Sequence, residues 1–183
     1  MANSKVKFGL ESLYYAEKQA NTSQPYKTPV AIPGAVSLSL EPQGDMTKFY
    51  ADNGVYWQTA VNNGYEGDVE VAKIPDTFLT SILGFTAGSN GVCAEFDNVE
   101  PKEFALLFEV SGDDNHTRFC FYNCIAQRPT VNSNTTSDTK EPITETFTIS
   151  AVGGSDHIVK GHCETGSTAY TNWFQSVTKP TGV

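Results

Sequence analysis

The chain has 183 residues, enough for one domain that buries about 70% of the surface of its unfolded chain without a metal or disulfide staple. Its 21 acidic and 12 basic residues give a formal net charge of -9, which excludes an ordinary electrostatic grip on nucleic-acid phosphates. No apolar run of about 20 residues is present and the N-terminus lacks an apolar signal core, so we expect no membrane span and an intracellular, soluble protein.

Alternation of apolar and polar residues predicts strands near the N-terminus. The pattern is present over residues 6–10 and again over residues 36–40. In the second segment, Val36, Leu38 and Leu40 alternate with serines, and we expect these three to share the buried face.

Residues 41–64 predict a projecting hairpin. The segment is rich in turn-forming residues, and Asp52-Asn53-Gly54 suggests the hairpin tip. It also contains four aromatic residues, a type enriched at protein interfaces. These rings either contact a partner or fold back on the core, and the sequence leaves both open.

Residues 65–72 predict a strand with one acidic face. Glu66, Asp68 and Glu70 occupy every second position, with no cation among them. Neighbours on one strand face lie roughly 7 Å apart, so each exposed pair repels by about 0.6 kcal/mol in water. Tyr65, Val69 and Val71 on the opposite face would supply the core. The acidic face is either functional or an ordinary solvated surface.

One helix is predicted over residues 75–83. Pro75 suits the first turn of a helix, and Gly84 suits the position just past its end. Four apolar residues fall on one stripe, which we expect to pack across a sheet: Phe78, Leu79, Ile82 and Leu83.

The second half of the chain predicts a hairpin over residues 103–126, a flexible loop over about 131–142, and a strand over 144–151. In this last strand Phe147 and Ile149 are expected to be buried. A second polar face is predicted from Glu145, Thr146, Thr148 and Ser150. Together the segments predict a mainly β fold: two packed antiparallel sheets, a β-sandwich, with one flanking α-helix.

Motifs for catalysis, metal binding or cofactor binding are missing from the sequence. Its three histidines are scattered, and its four cysteines lack a metal-binding or disulfide spacing, so we expect reduced thiols. A glycosidase pair needs one carboxyl in an apolar pocket, whereas Glu66, Asp68 and Glu70 alternate along an open face. We therefore expect no catalytic residue, no metal and no cofactor.

The chain resembles a known family, the major tail proteins or tail tube proteins of long-tailed non-contractile phages, especially those of Gram-positive hosts. The resemblance covers nearly the whole chain and depends on the shared order and spacing of individually weak motifs. These are K-V-K-F-G-L-E-S-L-Y-Y-A near the start, A-I-P-G-A-V-S-L-S-L at 31–40, F-Y-A-D-N at 49–53, N-N-G-Y-E-G-D-V-E-V-A at 62–72, P-K-E-F-A-L-L-F-E at 101–109, F-Y-N-C at 121–124 and N-W-F at 172–174.

The resemblance implies a structural virion protein without a catalytic step, formed by a single tail tube domain over residues 1–183. Subunits would form hexameric rings that stack into a tube, with the inner sheets of neighbours joined edge to edge into one barrel. Implied partners are the tape measure protein and the tail terminator and baseplate proteins. DNA would pass through the lumen without specific binding, no membrane is among the implied partners, and assembly would occur in the host bacterial cytoplasm.

The resemblance also implies roles for two sets of residues. Glu66, Asp68 and Glu70 would line the lumen and repel passing DNA. The projecting hairpin would contact the neighbouring ring through Phe49, Tyr50, Asp52, Tyr56 and Trp57.

Three alternatives remain open from the sequence. The first is the tube of a contractile injection system, which shares the fold by resemblance. The second is a sugar-binding or adhesive β-sandwich, suggested by Tyr56, Trp57, Tyr170 and Trp173. The third is a hydrolase that uses the acidic strand.

Overall fold

The computed structural model describes residues 8–20, 24–112, 114–135 and 142–182. Within these residues the chain forms twelve strands, one α-helix and a 3-10 turn at Tyr170–Asn172. The elements are β1 (Leu10–Glu17), β2 (Val30–Ala31), β3 (Ala35–Pro42), β4 (Met46–Ala51), β5 (Gly54–Ala60), β6 (Tyr65–Val71), α1 (Asp76–Ser81), β7 (Thr86–Ala87), β8 (Cys93–Ala94), β9 (Phe104–Val110), β10 (Thr117–Ala126), β11 (Glu145–Ala151) and β12 (Lys160–Cys163).

Eight strands form one antiparallel sheet in the order β2-β1-β9-β10-β11-β6-β3, with β12 also paired to β10. One edge of β10 pairs with β12 over residues 118–121 and with β11 over residues 124–126. Between these two stretches lies Asn123, whose φ is 50°, and the register with β9 shifts at the same place. A bulge of this kind bends a strand, so the sheet folds over at Asn123.

The fold-over produces two packed layers. The first layer consists of β2, β1, β9, the first half of β10 and β12, and the second consists of the rest of β10 with β11, β6 and β3. Side chains from both layers meet in one core, for example Leu106 from the first and Val69 and Ile149 from the second. The predicted fold class, two antiparallel layers with one helix, is confirmed.

The helix α1 closes one end of this core. Phe78 is fully buried, with its ring centroid 5.0 Å from Tyr15, 5.6 Å from Phe104 and 4.9 Å from Phe147. The helix is shorter than the predicted segment: Ile82 and Leu83 follow it and are buried, and Leu79 packs at the margin of the core. Gly84, with a φ of 75°, then turns the chain in a conformation that favours glycine.

Residues 164–182, called the C-terminal strap below, pack on the other face of the first layer. Trp173 is buried there, and its indole N–H donates to the carbonyl oxygen of Phe119 at 3.3 Å. The guanidinium of Arg118 lies 3.6 Å from the ring centroid of Tyr170. The first layer is therefore covered on both faces.

The structure corrects several sequence-based expectations. Val36 is exposed rather than buried, because the register between β3 and β6 shifts between Ala35 and Ser37. Glu145 does not belong to the polar face: it lies opposite Val71, and its carboxylate accepts a hydrogen bond from the backbone N–H of Ile74 at 2.7 Å.

At the N-terminus, only Leu10 of the predicted strand 6–10 is in β1, whereas Phe8 is exposed and Val6 lies outside the described residues. Of the predicted loop over 131–142, residues 136–141 also lie outside the described residues.

Candidate functional site: an acidic face and a projecting hairpin

The outward surface of the second layer is acidic. Antiparallel register places the alternating polar residues of three strands side by side on one face, and the buried side chains of the same strands point into the core. We call this surface the acidic face; it consists of Ser37, Ser39 and Glu41 from β3, Glu66, Asp68 and Glu70 from β6, and Thr146, Thr148 and Ser150 from β11. None of the three strands contains Lys, Arg or His.

Neutral hydroxyl groups hold two of the carboxylates. Glu70 accepts hydrogen bonds from the hydroxyls of Thr144 at 2.6 Å and Ser37 at 2.8 Å, and Asp68 accepts one from Thr148 at 2.7 Å. The bonds from Thr144 and Ser37 lower the pKa of Glu70 below its ordinary value. Hydroxyl donors stabilise a carboxylate without cancelling its charge, so the face stays negative.

Glu41 is an acidic residue of this face that sequence reasoning missed. It lies directly opposite Glu66 across the β3–β6 pair. Like charges that face each other on neighbouring strands are destabilising. Only the strand register reveals this pair, since the two residues are 25 positions apart in the chain.

The acidic face is poorly suited to acid–base catalysis or metal binding. Glu66 and Asp68 are exposed, and the pKa of Glu70 is lowered, whereas a general acid needs a raised pKa. Among the described residues, no group of three or more His, Cys, Asp or Glu side chains is placed to hold a metal ion. The described part of the chain likewise contains no helix long and apolar enough to span a membrane.

The predicted projecting hairpin is formed by β4 and β5. Asp52 and Asn53 at its tip have φ values of 50° and 62°, and positive φ at both central residues is typical of the two-residue turns that connect the strands of tight hairpins. Side chains of the four aromatic residues are 53% to 73% exposed, so they do not fold back on the core of this chain: Phe49, Tyr50, Tyr56 and Trp57.

Three of these rings gather on the hairpin. Phe49 lies opposite Trp57, and a register shift makes Tyr56 an extra residue of β5. The ring of Tyr56 meets that of Phe49 edge-on, at 6.4 Å between centroids. We call Phe49, Tyr56 and Trp57 the aromatic cluster; it is an exposed apolar surface on a two-stranded element, which is marginally stable alone in water.

The four aromatic residues suggested for sugar binding do not form one platform. Trp173, a residue of the C-terminal strap, is buried against the first layer, and Tyr170 is stacked against Arg118. Tyr56 and Trp57 lie on the separate hairpin. Of the four suggested residues, only Tyr56 and Trp57 are exposed rings on a common surface, the aromatic cluster of the hairpin.

Comparison with known proteins identifies the family. The profile of a family described as "Phage tail tube protein" matches residues 1–179. No curated protein gives a significant match.

Solved structures match this chain at low sequence identity. A chain of the PVC extracellular contractile injection system, from its sheath-tube complex in the extended state, is 10% identical with a TM-score of 0.48, over 88% of this chain and 94% of that one. A chain of the anti-feeding prophage (AFP) baseplate is 6% identical with a TM-score of 0.50, over 91% of this chain and 100% of that one. At such identity the likeness to the AFP chain concerns the fold alone. Because the family profile spans nearly the whole sequence, this chain belongs to the phage tail tube protein family.

Proposed function

We propose that this tail tube structural protein, as one domain over residues 1–183, forms hexameric rings that stack into a tube whose bore is lined by the acidic face. The observation that carries the proposal is the asymmetry between the layers. The strap covers the outward face of the first layer, whereas the carboxylates of the second layer, including Glu66 and Asp68, are exposed.

Free strand edges support closure into a ring. The eight-residue strand β3 ends the sheet, and its outer edge has no partner among the described residues. A long unpaired edge is a template for pairing with another chain, and closure into a barrel removes it. Pairing of β3 with a neighbouring subunit would continue the acidic face from one copy to the next.

The charge of the acidic face supports passage of DNA. Each subunit contributes Glu41, Glu66, Asp68 and Glu70, and no basic residue from the same three strands. Around a narrow bore such charges lie within about one Debye length, roughly 8 Å at physiological salt, of passing phosphates. A confined surface of one sign generates a potential of several kT, which here repels DNA and prevents adhesion.

The remaining features of the proposal go beyond the family match and are based on the resemblance to tail tube proteins of long-tailed non-contractile phages. The protein acts without catalysis in the virion tail of a long-tailed, non-contractile phage of a Gram-positive host, after assembly in the host cytoplasm. Its partners are further copies of itself, the tape measure protein, and the terminator and baseplate proteins. The hairpin residues Phe49, Tyr50, Asp52, Tyr56 and Trp57 contact the neighbouring ring.

A contractile injection system is the second candidate, because a chain of the AFP baseplate shares this fold. Gene order separates the two: a sheath gene beside this gene favours contraction, and its absence favours the non-contractile tail.

The test of the proposal is removal of the charge by the triple substitution Glu66→Gln, Asp68→Asn and Glu70→Gln. We expect tubes that look like wild type by negative-stain microscopy and phage particles that eject DNA more slowly. The matched control removes three exposed acids outside the acidic face: Asp97→Asn, Glu100→Gln and Asp114→Asn. Unchanged ejection by the triple variant, or a wild-type protein that forms neither rings nor tubes, contradicts the proposal.

A further inference from the structure

The hairpin and the helix lie at opposite ends of the second layer. Strand β6 begins just after the hairpin, at Tyr65, and ends at Val71, shortly before α1. Seven residues of strand span roughly 20 Å, so this distance separates the root of the hairpin from the helix. A subunit therefore presents a projecting apolar element at one end and α1 at the other.

The α1 end contains an apolar groove of about 250 Å³. We call it the α1 groove; its apolar lining consists of Ile74, Leu79, Phe85, Pro129 and Val131. Two carboxylates, Glu95 and Glu145, also line it.

Apolar exposure is concentrated beside this groove. Val131 is 98% exposed, and leaving a valine side chain in water forgoes about 1.5 kcal/mol of burial free energy. Phe96, next to the groove residue Glu95, is also exposed, and its carbonyl oxygen accepts a hydrogen bond from Arg128 at 3.4 Å. Exposed apolar side chains beside an apolar groove are typical of an interaction site.

We propose that the aromatic cluster of one copy docks in the α1 groove of a copy in the next ring. This inference rests on the proposed tube and adds the receiving surface for the hairpin. The two surfaces lie at opposite ends of the subunit and differ from each other. Such a heterologous contact repeats without closing and gives an open stack.

The available area is consistent with this occupant. The contact is apolar, because the carboxylates of the α1 groove already have partners within the chain: Glu145 accepts a hydrogen bond from the backbone N–H of Ile74, and Glu95 pairs with Arg128. Each aromatic ring can bury 150–250 Å² at most, so one hairpin buries roughly 500 Å². That is less than the roughly 800 Å² per partner of a stable complex, and six hairpins acting together around a ring exceed it.

A second groove, an alternative docking site for the hairpin, lies at the end of the sandwich opposite α1. There the core opens into this groove of about 300 Å³, lined mainly by apolar residues with Lys160 among them. This groove lies at the end from which the hairpin itself emerges, because Lys160 stacks over Tyr65 at 4.4 Å. A head-to-tail stack does not bring a hairpin to it.

Disulfide trapping between separately labelled copies tests the proposal. All variants carry Cys93→Ser, because Cys93 is the exposed native thiol and the other three cysteines are buried. Protein with Trp57→Cys is mixed with protein carrying Val131→Cys or Lys160→Cys, allowed to assemble, and oxidised. Thr47→Cys, which lies on the same strand face as Phe49 and keeps the aromatic cluster intact, serves as a second reporter.

We expect a disulfide-linked dimer of the Trp57→Cys and Val131→Cys proteins. The yield of dimer in the mixture should exceed the yield from either protein alone by more than about tenfold, since thiols with Cα atoms over about 7 Å apart cannot bridge. Preferential trapping with Lys160→Cys overturns the inference. The inference is also overturned if microscopy shows tubes in the same sample but neither reporter forms a disulfide with Val131→Cys. In that case the proposed tube stands and only the docking site is wrong. Absence of rings, tubes and dimers overturns both.

Discussion

The hydroxyl of Thr148 on β11 donates a hydrogen bond of 2.7 Å to the carboxylate of Asp68 directly opposite on β6. Ser37 on β3 makes the same kind of bond to Glu70 from the other side of β6. The central acidic strand is thus held between two strands rich in hydroxyl groups. These bonds orient the carboxylates and leave their charge unpaired, as a surface that repels phosphate requires.

Removal of the hydroxyls that bond Glu70 is expected to raise the pKa of its carboxyl. Thr144 contributes the larger share of the lowered pKa and Ser37 the smaller share, so Thr144→Val should raise the pKa more than Ser37→Ala. NMR titration of the side-chain carboxyl carbon measures this. Thr146→Val is the matched control, since the hydroxyls that lower the pKa of Glu70 belong to Thr144 and Ser37.

The lowered pKa of Glu70 determines how the stability contributed by this carboxyl depends on pH. A carboxyl with a lowered pKa in the folded state stabilises the fold fully above its unfolded-state pKa, about 4.3, and this contribution is lost as pH falls through the folded value. The stability difference between wild type and Thr144→Val should therefore be present at neutral pH and vanish under acid. A difference that grows as pH falls would contradict the assignment.

Substitution of Phe78 by Ala should destabilise the protein strongly. The ring is fully buried between Tyr15, Phe104 and Phe147, and its removal opens a cavity where α1 closes the core. We expect a loss of about 3–5 kcal/mol in the free energy of unfolding, measured by denaturant titration. Phe96→Ala, at an exposed phenylalanine, should cost far less. Equal losses would mean that α1 does not anchor the core.

Local patterns predicted most strands, the helix and the hairpin, because apolar alternation and turn residues act over a few neighbouring positions. Alternation placed Glu66, Asp68 and Glu70 opposite Val69 and Val71, and β6 has this arrangement. The alternation pattern predicted the wrong face for Val36, because a shift in the register between β3 and β6 places this residue on the exposed side.

Features set by contacts distant in sequence could not be predicted. Glu41 opposite Glu66 and Thr144 bonded to Glu70 depend on the order of strands in the sheet. The short strand β12 carries no apolar alternation, since its sequence is K-G-H-C, and it is fixed by pairing with β10. The bend at Asn123 likewise lies inside a continuous strand-like run.

Substitution of Arg118 by Lys should loosen the C-terminal strap. The guanidinium stacks on Tyr170, donates to the Tyr170 carbonyl oxygen at 2.6 Å, and donates to the carboxylate of Glu109 at 2.8 Å. An ammonium cannot reproduce this planar, multiply bonded arrangement, and we expect a loss of about 2 kcal/mol. Limited proteolysis should then cleave within residues 164–182 faster than in wild type.

The control for this experiment is Arg128→Lys, because Arg128 pairs with Glu95 on the surface, away from the strap. Strap cleavage should stay at the wild-type rate in this variant. A wild-type cleavage rate in Arg118→Lys would show that Arg118 does not hold the strap.

The four thiols should differ sharply in reactivity. Burial raises the pKa of Cys124 to about 12 and that of Cys120 well above its ordinary value, so neither forms a thiolate at neutral pH. Cys163 is also buried, with a raised pKa, whereas Cys93 is exposed. A chromogenic disulfide reagent should modify one thiol rapidly in the native protein and four after denaturation. Rapid modification of more than one native thiol would contradict the packing around β10.

The orientation of β6 in an assembled tube tests the central claim most directly. Cryo-electron microscopy of tubes formed by the purified protein would locate each strand relative to the bore. We predict that Glu66, Asp68 and Glu70 point into the bore and that α1 lies away from it. A tube in which α1 or the C-terminal strap lines the channel and the acidic face points outward would contradict the account.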